Sequence, residues 1–475
     1  MGAPERRCVE NDVPPGGECL SPAEARSVQE DCARELELGT RRLVEACPPQ
    51  TTRGAVTLLR NGPTLYVGLL GQAYGFLHLY DRTRDPDHLR LAHEYLDAAS
   101  PAIERSSIPP PEEWLSFHAT AGVSAVAAVV RDRLGETEAS ERCLEDYRRL
   151  AVAAADPDYP TEDLLWGRGG FLFGAAFLRA ALGEESIADE LVEPALAAMI
   201  ATGRRHASEH AGELTPGPHG STPLLYLNFN PSLISWFARG LIGSRSAPAQ
   251  WLARQGARAF AAWENRSLQL THRYDASLVH GVPGNLYLMM HFPELLAGQP
   301  DWERDVIASL DCLTDCLDAE LGMLELLPSP RSEASQKRRG TDRFTERVHW
   351  CGGTPGMVFV FSRAFTVFGH ERYREAAELA ANHAWKHGLV CKGNGICHGV
   401  AGNGYAFLAL HRATSDPTSL GRALHFARHS LSPRLTLGQR TPDRPWSLYE
   451  GAMGTLCFYA DCLEPATARF PGFEV

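Results

Sequence analysis

Asn394 to Leu408 reads N-G-I-C-H-G-V-A-G-N-G-Y-A-F-L, a Cys-His pair set directly before a Gly-x-x-Gly that opens an apolar run. Upstream, His349 to Met357 reads H-W-C-G-G-T-P-G-M, and Cys351 stands as far before Gly353 as Cys397 stands before Gly399. The same layout recurs along the chain. It appears as Gly68-L-L-Gly71 before QAYGFLHLY, as a degenerate Ala119-T-A-Gly122 before VSAVAAVV, and as Gly167-R-G-Gly170 before FLFGAAFL. It returns as Gly281-V-P-Gly284 before NLYLMM and as Gly451-A-M-Gly454 before TLCFYADCL. The first positions of these seven units lie 51, 48, 114, 72, 46 and 52 residues apart.

A step of this size holds two helices and their connections, which is the signature of a repeat architecture. The stretches between the turns, such as HLRLAHEYLDAAS and RYREAAELAANHAWKHG, place apolar residues at helical spacing with charges between them. Each unit therefore reads as an inner helix, apolar nearly all round, and an outer amphipathic helix. Glycines before an apolar helix permit positive φ and close backbone approach. β-branched alternating patterns are scarce. Periodicity alone leaves an open solenoid and a closed ring both standing. Closure is favoured because the reactive residues sit at the turns, and a ring converges the turns on one axis.

Aligned on the first glycine, the preceding residue is His280 in the fourth unit, His398 in the sixth and Glu450 in the seventh. Two before the glycine stand Cys351 and Cys397. Packing would favour Val or Leu at such an address, as Val67 shows in the first unit. Two Cys and one His are a ligand set for a catalytic zinc that keeps one position open. Such a zinc deprotonates an incoming thiol, and the thiolate is the reactive form. His280, on a neighbouring turn, has an imidazole whose ordinary pKa near 6.5 suits proton transfer at neutral pH.

The bulk numbers fit a cytosolic enzyme. The chain has 475 residues, 44% hydrophobic and 22% charged, with net charge −12. That acidity argues against nucleic-acid binding through a phosphate-seeking field. No apolar run approaches the roughly 18 residues of a membrane span, and M-G-A-P-E-R-R-C lacks the apolar core of a secretory signal. The twelve cysteines, scattered without regular spacing, read mostly as buried thiols of a reducing compartment.

V-H-W-C-G-G-T-P-G, K-G-N-G-I-C-H-G-V-A-G-N-G-Y-A-F-L, H-G-V-P-G, R-T-P-D-R-P-W-S-L-Y-E-G and L-L-W-G-R-G-G-F-L-F together resemble the lanthionine synthetase C-like (LanC-like) proteins of the eukaryotic type. The resemblance covers about Leu58 to Leu463. It implies an all-α fold, an α/α toroid of seven helical-hairpin repeats in inner and outer rings with zinc at the central mouth. On it, residues 1–50 are an N-terminal extension with a helical part. Residues 51–475 are the toroid, with insertions near 201–265 and 325–347. Cys351, Cys397 and His398 match the zinc ligands, and His280 matches the acid/base histidine. Asp163 falls at a position where bacterial cyclases carry a carboxylate, and Arg347 fits their R-x-x-W-C pattern. Lys392 matches a lysine near bound glutathione. The activity implied is zinc-dependent addition of a thiol, glutathione foremost, to dehydroalanine or dehydrobutyrine in a dehydroamino-acid-containing or phosphorylated peptide or protein. Two alternatives stand beside it: a non-catalytic zinc- and glutathione-binding scaffold, and a bacterial-style lanthipeptide cyclase. Gly352 departs from the Tyr that follows the first zinc cysteine in bacterial cyclases, which counts against ring formation.

Overall fold

A computed structural model of the chain describes residues 11, 13, 19–49, 64–105, 115–159, 161–209, 223–226, 277–318, 322–323, 348–432 and 439–475. Seven apolar helices follow the seven turns: α2 (Leu69–Thr83), α4 (Thr120–Arg133), α6 (Arg168–Leu182), α8 (Val282–Met289), α10 (Thr354–Phe368), α12 (Val400–Thr414) and α14 (Ala452–Leu463). On α12 every residue from Val400 to Leu410 is buried, so this helix has no solvent face, as its sequence predicts. Outside them lie α3 (Pro86–Arg105), α5 (Thr137–Arg148), α7 (Asp189–Glu209), α9 (Pro300–Asp315), α11 (Glu371–His387) and α13 (Pro417–Leu431).

Each inner helix packs on the next, and α14 packs back on α2, so the ring is closed. The turns are stitched together as well. Leu65 N donates to His118 O (2.9 Å), Leu164 N to Val279 O (3.4 Å) and Leu278 N to Cys351 O (3.0 Å). Cys397 N donates to Tyr449 O (2.8 Å), and Tyr449 N to Tyr66 O (3.2 Å). The remaining joints use side chains: Ser116 Oγ reaches Leu165 O (2.5 Å), and Asn403 Nδ2 reaches Val348 O (2.9 Å). The residues at the turn address are thereby held by a band of hydrogen bonds running from unit to unit.

The seventh outer position is filled from the other end of the chain. Helix α1 (Pro22–Ala46), which the sequence assigns to the N-terminal extension, packs on α14 and α13. Ser21 and Glu24 form a capping box at its start, and Val28, Cys32, Leu36, Gly39 and Leu43 line its buried face. The chain end is inside too. Phe470 stacks on Trp350 (4.5 Å between ring centres) and Phe473 on Tyr287 (4.1 Å), so the last residues lie among side chains of α8, α10 and α12 within the ring.

Of the two roles expected of the glycines, close backbone approach is the general one and positive φ the exception. Gly68, Gly167, Gly281, Gly399 and Gly451 cap their helices with ordinary extended backbone, and among the seven first positions only Gly353 takes a positive φ, 135°. The stronger constraint is on the second glycine: a Cβ at Gly402 would collide with the carbonyl of Ile396, and one at Gly284 with that of Leu278. The turn folds flat onto the first turn of its own helix only where that Cβ is missing.

Helix α7 runs on to Glu209, so the segment from residue 201 begins as helix rather than as insertion. Residues 223–226 then return to the core, where Leu224 N bonds Ser309 Oγ at 2.8 Å. Most of the expected insertion near 201–265, and all of that near 325–347, lies outside the described residues. Strand is confined, among the described residues, to the paired Leu317–Asp318 and Gly322–Met323. No helix among them is long and apolar enough to cross a membrane.

Candidate metal and thiol site

The fifth and sixth turns bring Cys351, Cys397 and His398 together, their ligand atoms all within 4.8 Å of one another. Cys397 Sγ lies 3.9 Å from His398 Nε2. Cys397 is buried, while Cys351 and His398 are partly exposed, so the trio has an open side. Two soft sulfurs and one imidazole at this separation suit a zinc ion, and three protein donors leave a further position for substrate.

The electrostatics favour a thiolate. The hydrogen bond from Cys397 holds the Cys351 thiol well below its ordinary pKa, with His349 and His398 adding to the effect against the cost of burial. Burial, then the neighbouring Cys351 charge, pushes Cys397 up. At His398 burial opposes an imidazolium, but the interaction with Cys351 outweighs it and the pKa is raised. Burial pushes His349 down, so its imidazole is neutral near pH 7. Its Nε2 lies 2.8 Å from Lys392 Nζ, which makes Nε2 the acceptor. Lys392, read from sequence as a cation beside glutathione, therefore meets a second residue of the H-W-C motif.

On the adjoining turns, Asp163 and His280 meet across 117 residues of sequence, Nδ1 to Oδ2 at 3.4 Å. Asp163 is 4% exposed and His280 30%, so the carboxylate is the buried anchor and the imidazole is the part-exposed member of the pair. Trp166 N donates to the other oxygen of Asp163 at 2.7 Å, which fixes the carboxylate to the third turn. Arg347 lies outside the described residues.

Two residues of the site escaped the sequence reading. Ala119 takes the first-glycine place in the second unit, so the residue before it, His118, shares the address of His280, His398 and Glu450. It was passed over because the degenerate turn lacks the glycine that marks the register. His118 is 2% exposed, and neither ring nitrogen has a hydrogen-bond partner. Burial, helped by the facing His280, lowers its pKa to about 3. Tyr66, two before Gly68, shares the address of Cys351 and Cys397. Its ring stacks on Tyr449 at 4.8 Å.

A closed double ring of helices, with two thiols, an imidazole and a carboxylate-oriented histidine at its turns, defines an α/α toroid of the lanthionine-cyclase type. The chain belongs to the lanthionine synthetase C-like family: the model for "Lanthionine synthetase C-like protein" matches residues 60–475. Among its relatives is "Glutathione S-transferase LANCL1" of Danio rerio, 31% identical over 415 residues, covering 87% of this chain and 85% of that one. Another is "LanC-like protein GCL1" of Arabidopsis thaliana, 29% identical, with 94% and 89% covered. The solved structure of "Nisin cyclase" matches with a TM-score of 0.56 at 14% identity, covering 90% of this chain and 93% of that one, which speaks for the fold alone.

Proposed function

We propose that the protein adds a thiol, glutathione foremost, to dehydroalanine or dehydrobutyrine in a peptide or protein, with zinc held by Cys351, Cys397 and His398. The observation that carries this reading is the cluster of those three ligand atoms beside the Asp163–His280 pair. A zinc bound there would supply a thiol deprotonated at neutral pH. In the reaction the S–H bond breaks, sulfur bonds to the β-carbon of the acceptor, and the C=C electron pair moves to an enolate. His280, oriented by Asp163, delivers a proton to the α-carbon, so addition is redox-neutral and nothing leaves. The relative named as a glutathione S-transferase supports glutathione as donor. Gly352 offers no side chain beside Cys351, which favours an intermolecular donor over ring closure within one peptide.

The test is a dehydroalanine peptide incubated with glutathione and read by mass spectrometry. The wild-type protein should give the glutathione adduct, and His280→Asn should lower turnover about 10²- to 10⁴-fold while retaining its zinc. Equal turnover in the two proteins would remove His280 from the reaction. Zinc and glutathione binding with no adduct in either would leave only a binding role.

A further inference from the structure

The fourth and seventh turns are built alike, and the seventh carries a charge that the reaction above leaves unused. Gly281 N donates to Ser277 O (3.0 Å), and Gly451 N to Ser447 O (3.2 Å). One residue before each glycine, His280 N donates to Ser277 Oγ and Glu450 N to Ser447 Oγ, both at 3.2 Å. The sixth turn repeats the backbone bond, Gly399 N to Gly395 O at 3.1 Å, and puts His398 in the same place. Glu450 therefore shares a turn position with the histidine of the Asp163 pair and with the imidazole of the metal trio. Its turn adjoins that trio. Cys397 N donates to Tyr449 O (2.8 Å), and a Cβ at Gly395 would lie 2.4 Å from Glu450 O, so the sixth and seventh turns touch along their backbones. Glu450 is half-buried, and among the described residues no hydrogen bond or ion pair engages its carboxylate. On the fifth-turn side stands a cation instead, Lys392, at 2.8 Å from His349.

We propose that Glu450 is a specificity-determining residue that receives the ammonium group of the thiol donor, so that the site selects thiols carrying an ammonium over simple ones. The inference rests on the thiol-addition reading above and names what the donor must bring. Two cysteine thiolates balance the charge of a zinc ion, and a third thiolate from the donor leaves an excess negative charge. A carboxylate one turn away raises the cost of that charge unless the donor carries a cation of its own. An ammonium group supplies it, and its N–H···O⁻ bond to Glu450 is of the charge-assisted kind, stronger than a neutral one. A carboxylate elsewhere on the donor finds its counterpart at Lys392. Glutathione fits this layout, because its ammonium stands at the far end of the γ-glutamyl arm from the sulfur. A donor with its sulfur at the sixth turn can extend that arm to the seventh.

The experiment titrates two donors into the zinc-loaded full-length protein and into Glu450→Gln by calorimetry. One is glutathione; the other is glutaryl-Cys-Gly, which is glutathione without its amino group. In the unsubstituted protein the missing ammonium should weaken binding about 10- to 100-fold, and Glu450→Gln should weaken glutathione by a like factor. The glutaryl donor should bind both proteins equally, which a disturbed turn would not allow. In adduct formation on a dehydroalanine peptide, the variant's loss should fall on KM for glutathione more than on kcat. Equal losses for both donors in Glu450→Gln, or no loss for either, would overturn the inference and leave the thiol-addition reading standing. Glutathione that neither binds the unsubstituted protein nor forms an adduct would overturn both.

Discussion

At position 118 the chain buries an imidazole that nothing hydrogen-bonds, an arrangement that costs stability whenever the ring must be charged. The sign is definite. The folded-state pKa, about 3, lies below the unfolded value near 6.5, so the unfolded chain takes up the proton first. Stability from this residue is complete above pH 6.5 and is lost as pH falls from there toward 3. His118→Phe should therefore reduce the pH dependence of unfolding free energy between pH 6 and 4 by about 1 kcal/mol per pH unit, read from denaturant melts. An unchanged slope would mean that the imidazole titrates alike in both states. The Asp163–His280 pair makes a second prediction at this scale. Asp163→Asn leaves the ligands untouched but loosens the imidazole, so turnover should fall about 100-fold with zinc content unchanged. The cysteines and His398 were legible because reactive residue types recurred at one address. His118 and Tyr66 were not, because the address was marked by glycine in one case and read for metal donors only in the other. Lys392 was legible as a cation, but its meeting with His349 depends on how two turns lie side by side.

Among the elements, the glycine turns decide where the reactive side chains point. The repeat of Gly-x-x-Gly before an apolar run sufficed to predict the inner helices, since those helices are buried on every side. The glycines serve two different needs. Positive φ is needed at Gly353, whereas the shared requirement is room for a carbonyl beside the second glycine. Gly402→Ala should accordingly destabilise the protein by about 1–3 kcal/mol through the collision with Ile396 O. It should also weaken zinc binding, because the flattened turn carries Cys397 and His398; thermal melts and metal analysis of one preparation read both effects. A stable variant with undisturbed zinc would show that the turn is not what aims these ligands. Helix α1 shows where local pattern stops short. Its amphipathic face was readable, but its partner, more than 400 residues away at Cys462, was not: Gln29 Nε2 reaches Cys462 O at 2.9 Å.

The whole molecule is a ring closed three times over, by α14 against α2, by α1 over the last hairpin, and by the chain end within. Buried Asp461 of α14 ties the first and last of these closures together. It meets His78 Nε2 (2.9 Å) and Arg82 Nε (2.7 Å) of α2, Tyr405 Oη (2.7 Å) of α12 and the backbone N of Arg469 (3.3 Å). No repeat signal marks the terminal F-P-G-F, and its place inside the ring depends on a cavity that exists only after closure. Each fully buried Phe contributes roughly 1.5–3 kcal/mol, so ending the chain at Arg469 should cost about 3–6 kcal/mol. It should also release Trp350, the neighbour of Cys351, from its stack on Phe470. Truncated protein that melts like the full chain would show that the tail contributes no core. All these closures converge on the turns, and the central claim is that the turns assemble one metal centre. The most direct measurement is the zinc content of the purified protein beside Cys351→Ala and Cys397→Ala. The account predicts one zinc per chain, lost in both variants while the helical spectrum is kept. A zinc-free wild-type protein, or variants that hold zinc as tightly, would contradict it.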